Sequence, residues 1–193
     1  MTPSLPAHPF GWLPVEIRRR VFVALALLAI ALTLLMNALG APLRTAAAPL
    51  GIISYEFAGT IPAASDILSS WGPRGQALAG LSLGLDFLYI VAYASTISLG
   101  CVLVAQRWLD RSRWMAVFGV ALSWAVLVAG LLDVIENVAL IQVLLGSSSE
   151  SWPVLARWCA AGKFAIVGLG LAYVVIGGVV VWALTSARAY PAV

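Results

Sequence analysis

Four long apolar runs set the pattern of the chain, at 21–39, 76–105, 115–145 and 154–184. Each is long enough to cross a bilayer, since a transmembrane helix needs about 20 predominantly apolar residues. The pattern predicts an all-α fold: a bundle of four transmembrane helices within a domain at 18–188. The stretch before it, 1–17, holds Pro3, Pro6, Pro9 and Pro14 and no periodicity, and reads as an extended tail at the membrane surface. Residues 189–193 form a short C-terminal tail. Ala46-Ala47-Ala48 resembles a signal-peptide cleavage site, but the first apolar run exceeds the usual core of about 7–15 residues, so a retained helix is expected.

Between the first two runs, 49–71 has a different rhythm. Ile53, Phe57, Ile61, Ala64, Leu68 and Trp71 recur at helical spacing, while Glu56, Thr60 and Asp66 interrupt them. Thr60 is a natural N-cap, with Pro62 in the first helical turn. Gly72-Pro73 stops the pattern. The prediction is one or two amphipathic helices lying at the interface, too polar to span.

Composition agrees. The 193 residues are 62% hydrophobic and 10% charged, against about 25% charged in soluble domains. The net charge of +3 comes from arginines flanking apolar runs. It therefore reports topology and gives no reason to expect nucleic acid. Arg18-Arg19-Arg20 after the N-terminal tail and the 106–114 loop give three arginines each, the 40–75 connection two and the 146–153 loop none. By the positive-inside rule both termini lie in the cytoplasm of a multi-pass inner (plasma) membrane protein. Trp12, Trp108, Trp114 and Trp182 would mark the inner interface, and Trp71, Trp152 and Trp158 the outer. Cys101 and Cys159 sit near opposite ends of their helices, so no disulfide is expected. His8, the only histidine, lies in the tail, which excludes a histidine-based metal site or triad inside the bundle.

The polar exceptions within the spans carry the chemistry. Asp133, Glu136 and Asn137 stand at i, i+3 and i+4 and share one helix face. Asp86, Tyr89 and Tyr93 form a second stripe, and Lys163 is the sole lysine. Counted from the flanking arginines at about 1.5 Å per residue, Asp86, Asp133 and Lys163 reach a similar depth in the outer part of the membrane. Asn37 comes a little lower, with Arg188 the reference for the last span. The 49–71 segment can act as a lid that brings Glu56 over this layer. Gly80 and Gly84 form a GxxxG pair suited to close helix approach. Ionisable residues at membrane depth are costly and generally serve a function. So many acids cannot all be ionised in a low-dielectric site; some must share a proton, or a cation must settle the excess. The plainer reading is interhelical glue, and Lys163 can either pair with the acids or snorkel outward.

No phosphate loop, Gly-x-Ser-x-Gly or Cys-x-x-Cys is present, and neither a metal nor a cofactor is expected. Four carboxylates could suit a divalent cation by ligand type, but no spacing demands it. The segments Tyr55-Glu56-Phe57-Ala58-Gly59-Thr60, Leu85-Asp86-Phe87-Leu88-Tyr89, Asp133-Val134-Ile135-Glu136-Asn137 and Lys163-Phe164 together resemble a group of uncharacterised bacterial four-span membrane proteins, over about residues 50–175. That resemblance implies no activity. The intramembrane acids are also similar to those of the sterol-isomerase and sigma-2-receptor group, whose isomerases rely on a bundle histidine that this chain lacks. Three functions follow as expectations. The first is a buried pocket for a small amphiphile or lipid, linked to protons. The second is a non-catalytic subunit of a larger membrane complex or homo-oligomer. The third is an enzyme using a carboxylate pair on a lipid or isoprenoid. The candidate ligand-binding set is Asp86, Tyr89, Tyr93, Asp133, Glu136, Asn137, Lys163, Glu56 and Asn37.

Overall fold

The computed structural model describes residues 4–189, with side chains to residue 184. The Arg188 side chain, one of the topology markers, lies outside that range, as do residues 190–193. The fold is all-α, with four helices long and apolar enough to cross a membrane, packed as a bundle. Helix α1 is Val15–Gly40, α2 Ile52–Glu56, α3 Ile61–Trp108, α4 Arg113–Leu144, α5 Ser151–Ala172 and α6 Gly178–Ala189. A short 3-10 turn, Ala41–Leu43, follows α1, and a π turn, Tyr173–Gly177, joins α5 to α6.

The amphipathic segment divides as its sequence predicted, into α2 and the first part of α3. Gly72 interrupts α3 with φ 61° and ψ −177°, a conformation open in practice only to glycine. Pro73 follows it. The Gln76 amide then donates to the Leu68 carbonyl across the break (2.9 Å). Thr60 caps the new helix by accepting from the Ala63 N–H (3.4 Å). The apolar stripe holds at Ala64 and Trp71 but not at Ile53 and Phe57, which are exposed. Because α2 is only five residues long, its period does not carry into α3, and Tyr55 and Glu56 turn inward instead.

Contacts divide the chain into two compact units, 27–92 with 130–164, and 1–26 with 93–129 and 165–193. In the first, Leu43, Tyr55, Ile67, Trp71, Leu83, Leu140 and Val143 form a core with small residues between them. Two of its aromatic residues also bond to backbone carbonyls. The Tyr55 hydroxyl donates to the Leu140 carbonyl (3.0 Å), and the Trp71 indole to the Leu43 carbonyl (2.7 Å). The two rings meet edge to face at 5.4 Å. Only half of the glycine pair makes a close approach. A Cβ on Gly80 would touch Leu144, whereas one on Gly84 would meet nothing within 4 Å.

In the second unit the described part of the N-terminal tail packs through Leu5, Phe10 and Leu13. Phe10 and Leu13 are buried with Leu99 and Val102. The first helix begins at Val15 rather than Val21, taking in the arginines, and Arg18 donates its Nε–H to the Leu13 carbonyl (2.9 Å). His8 is partly buried here, and burial with the nearby Arg18 charge lowers its pKa. Ser98 of α3 donates to the Ser123 carbonyl of α4 (2.7 Å). The π turn was not expected from the sequence. It sits where the Tyr173 hydroxyl donates to the Met115 carbonyl (2.8 Å). Gly119 makes room for that ring, since a Cβ there would collide with the Tyr173 hydroxyl. A π turn disturbs the regular i→i−4 ladder, and the Trp108 indole donates to a carbonyl at its end, that of Gly177 (3.2 Å).

Candidate functional site

Within the first unit the polar exceptions converge. Asp133, Glu136 and Asn137, spaced along one face of α4, are all buried, and Lys163 of α5 is buried with them. The Lys163 ammonium donates to Asp133 Oδ1 at 2.6 Å and to Glu136 Oε1 at 2.9 Å. It is paired rather than extended toward a surface. Glu56, delivered by α2, has its Oε2 atom 3.7 Å from the same nitrogen, beyond ordinary hydrogen-bond length. On α3, Asp86 Oδ2 accepts from the Asn137 amide at 2.6 Å. Glu56 and Glu136 thus both face the Lys163 nitrogen, and Asp86 joins the cluster through Asn137.

Local packing explains how α2 places its acid here. Phe57, next to Glu56, stacks on Phe164, next to Lys163, with centroids 6.0 Å apart and planes 21° apart. The Lys163 nitrogen also lies 5.1 Å from the Phe164 ring centroid, within cation–π range. Behind α2, the start of α3 is fixed by Glu150, whose Oε2 accepts the Ile61 N–H (3.0 Å). That carboxylate satisfies a first-turn amide that has no partner within the helix. Sequence reading placed Glu150 only in a polar turn and missed this role, which depends on a residue 89 positions away. Tyr55, also missed, anchors α2 through Leu140.

The charge balance is unusual. Four carboxyls face one ammonium, so three charges would be unmatched if all were ionised. Two oxygens, Glu56 Oε2 and Glu136 Oε2, are buried without a hydrogen-bond partner. Burial pushes the Glu56 carboxyl up to about 7; the Lys163 charge pulls against this, and the Asp133 and Asp86 charges add to it. A proton held between two such carboxyls would supply the missing donor. It would also spare the cost of an unpaired buried charge, which is several kcal/mol per ion.

The remaining candidates are Tyr89, Asn37 and Tyr93. Tyr89 of α3 receives a hydrogen bond from Thr33 of α1 (3.2 Å), tying those helices together a turn beyond Asp86. Asn37 is exposed and donates to the Thr33 carbonyl of its own helix (3.0 Å). Tyr93 is buried and belongs to the second unit. Among the described residues no group of histidine, cysteine and carboxylate side chains has the arrangement of a metal site. No protein-family model, curated protein or solved structure matches the chain.

Proposed function

We propose that this chain is a multi-pass protein of a bacterial plasma membrane, with both termini cytoplasmic. On this reading the acid–lysine cluster is a proton-holding seat for the polar head of a small amphiphile or lipid. The observation that carries it is the pair of buried oxygens on Glu56 and Glu136 that lack a hydrogen-bond partner in a cluster with surplus acid. A cationic head entering beside them would replace the shared proton. Charge balances, since one positive head enters and one proton leaves. Helix α2 serves as the cover that supplies Glu56.

The test uses the protein in native-lipid discs with dodecylammonium as the probe and a neutral dodecyl glycoside as the control. Wild type should bind the amine, releasing protons into a weakly buffered solution near pH 7. Glu136→Gln and Asp133→Asn should each weaken amine binding on the order of tenfold, the loss expected when one charge-assisted contact of about 1.4 kcal/mol is removed. Unchanged retention in both variants, or binding without proton release, would remove this reading.

A second reading, a subunit of a larger complex, draws on α1. Its apolar span is almost entirely exposed in the lone chain, whereas that of α3 is mostly buried. Leu27, Ile30 and Leu34 offer a continuous open face. Gentle solubilisation followed by sizing decides this, since a stable lone monomer would count against it.

A further inference from the structure

The second unit contains a groove that the acid–lysine cluster does not explain. It has a volume of about 330 Å³ and is lined by Trp108, Met115, Phe118, Tyr173, Ile176 and Val180, among others. That is at the lower end of ligand-binding cavities, which run from about 300 to 1,000 Å³. Its walls are fixed. Tyr173 is held to Met115 across Gly119, and Trp108 is held to Gly177 at the end of the π turn. Single π turns in α-helices recur at functional sites.

The groove's surroundings point to its occupant. Trp108 and Met115, two of its lining residues, bracket the loop between α3 and α4. The end of α3, this loop and the start of α4 together carry Arg107, Arg111 and Arg113 against one acid, Asp110. Arg107 and Arg113 are exposed. Trp114 beside them is 86% exposed and Trp182 of α6 is 63% exposed, as side chains at a headgroup level should be. An apolar slot on a membrane-spanning helix, ending at a basic loop, matches a molecule with an acyl chain and an anionic head.

We propose that this groove is a binding site for one anionic phospholipid, with an acyl chain along Phe118, Tyr173 and Ile176 and the phosphate at Arg107 and Arg113. The bilayer, rather than a soluble anion, is the source. Basic residues at a membrane surface attract anionic lipid, and the groove adds burial of the chain. The site is independent of the cluster on α4 and α5 and of the function proposed for it.

Native mass spectrometry of the whole protein, relipidated with equal phosphatidylglycerol and phosphatidylcholine, tests this. Wild type should retain one phosphatidylglycerol preferentially. Arg107→Gln with Arg113→Gln should weaken its retention on the order of tenfold or more, from two surface charges lost. Ile176→Trp, which fills the slot from a position already 63% exposed, should do the same without lowering thermal stability; Ala172→Trp is a second filling variant. Equal retention of the two lipids overturns the proposal. So does unchanged phosphatidylglycerol binding in both filling variants, which would leave headgroup attraction alone. Displacement by glycerol phosphate as effective as by intact lipid would also overturn it, since a soluble anion would then suffice.

Discussion

Among the described residues, Lys163 is the cation paired with the carboxyls of the cluster. Removing it leaves surplus buried charge, and breaking one partner of a buried pair typically costs about 3–5 kcal/mol. Lys163→Met should therefore lower thermal stability in detergent sharply. Adding Asp133→Asn or Glu136→Gln should recover much of the loss, because less uncompensated charge remains. The 2.6 Å contact to Asp133 against 2.9 Å to Glu136 favours stronger coupling with Asp133. Additive effects in both double mutants would mean that the three residues are energetically independent.

Glu56 gives a pH signature. Its folded-state pKa is raised from 4.5 to about 7, so the folded chain holds this proton more tightly than the unfolded one. The associated stability is full below about pH 4.5 and is lost as pH rises through about 7. Glu56→Gln, which mimics the protonated acid, should leave stability near pH 5 little changed and raise it relative to wild type near pH 8. Melting curves across that range check the sign, and a difference independent of pH would refute it.

Most of this cluster was legible in the sequence. Asp86, Asp133, Glu136 and Lys163 stand out because an ionisable residue in an apolar run is expensive wherever the helix turns it. The pairing of Lys163 was not legible, because spacing along one helix does not fix the facing of the next. Glu150 and Tyr55 were hidden for a related reason. Their roles are hydrogen bonds to distant backbone groups, which leave no periodic trace.

Among the helices, the boundary at Gly72 was the most predictable, since Gly-Pro after an amphipathic run is a strong stop signal. The conformation found there makes it testable. Gly72→Ala should destabilise by about 1–3 kcal/mol, the range for forcing a side chain into a glycine-only region. Gly84→Ala is the matched control, because a Cβ there meets open space. It should be neutral or slightly stabilising, as alanine is the better helix former. Equal losses in both melts would mean that Gly72 is not under conformational constraint. The π turn escaped prediction because Tyr173–Gly177 reads as ordinary apolar helix. The partners that meet its two ends, Trp108 of α3 and Met115 of α4, are distant in sequence and leave no local trace.

For the whole molecule, run length and composition identified the four spans directly. Their ends were less legible: α1 extends six residues earlier than the apolar run, through Arg18, Arg19 and Arg20. Helical geometry can continue beyond the hydrocarbon, so hydropathy marks the buried part of a helix and not its termini. The arginine distribution still predicts sidedness. A single cysteine introduced as Ser148→Cys, with both native cysteines removed, should react with impermeant maleimide added outside intact cells. Labelling only from the cytoplasmic side would invert the proposed topology.

The pairing of Lys163 with Asp133 and Glu136 also bears on how the chain enters the bilayer during synthesis. Alone, α4 would present two acids to lipid and α5 a lysine, each costing about 2.5–3.5 kcal/mol at the centre of an inserting helix. Only the short stretch 145–150 separates the two helices. Each carries the other's counter-charge, so they can partition together as a neutralised hairpin more readily than one after the other. A chain truncated after Glu150, fused to a glycosylation reporter and translated with microsomes, should therefore insert α4 less completely than the chain extended through α5. Equal insertion would show that α4 enters without its partner.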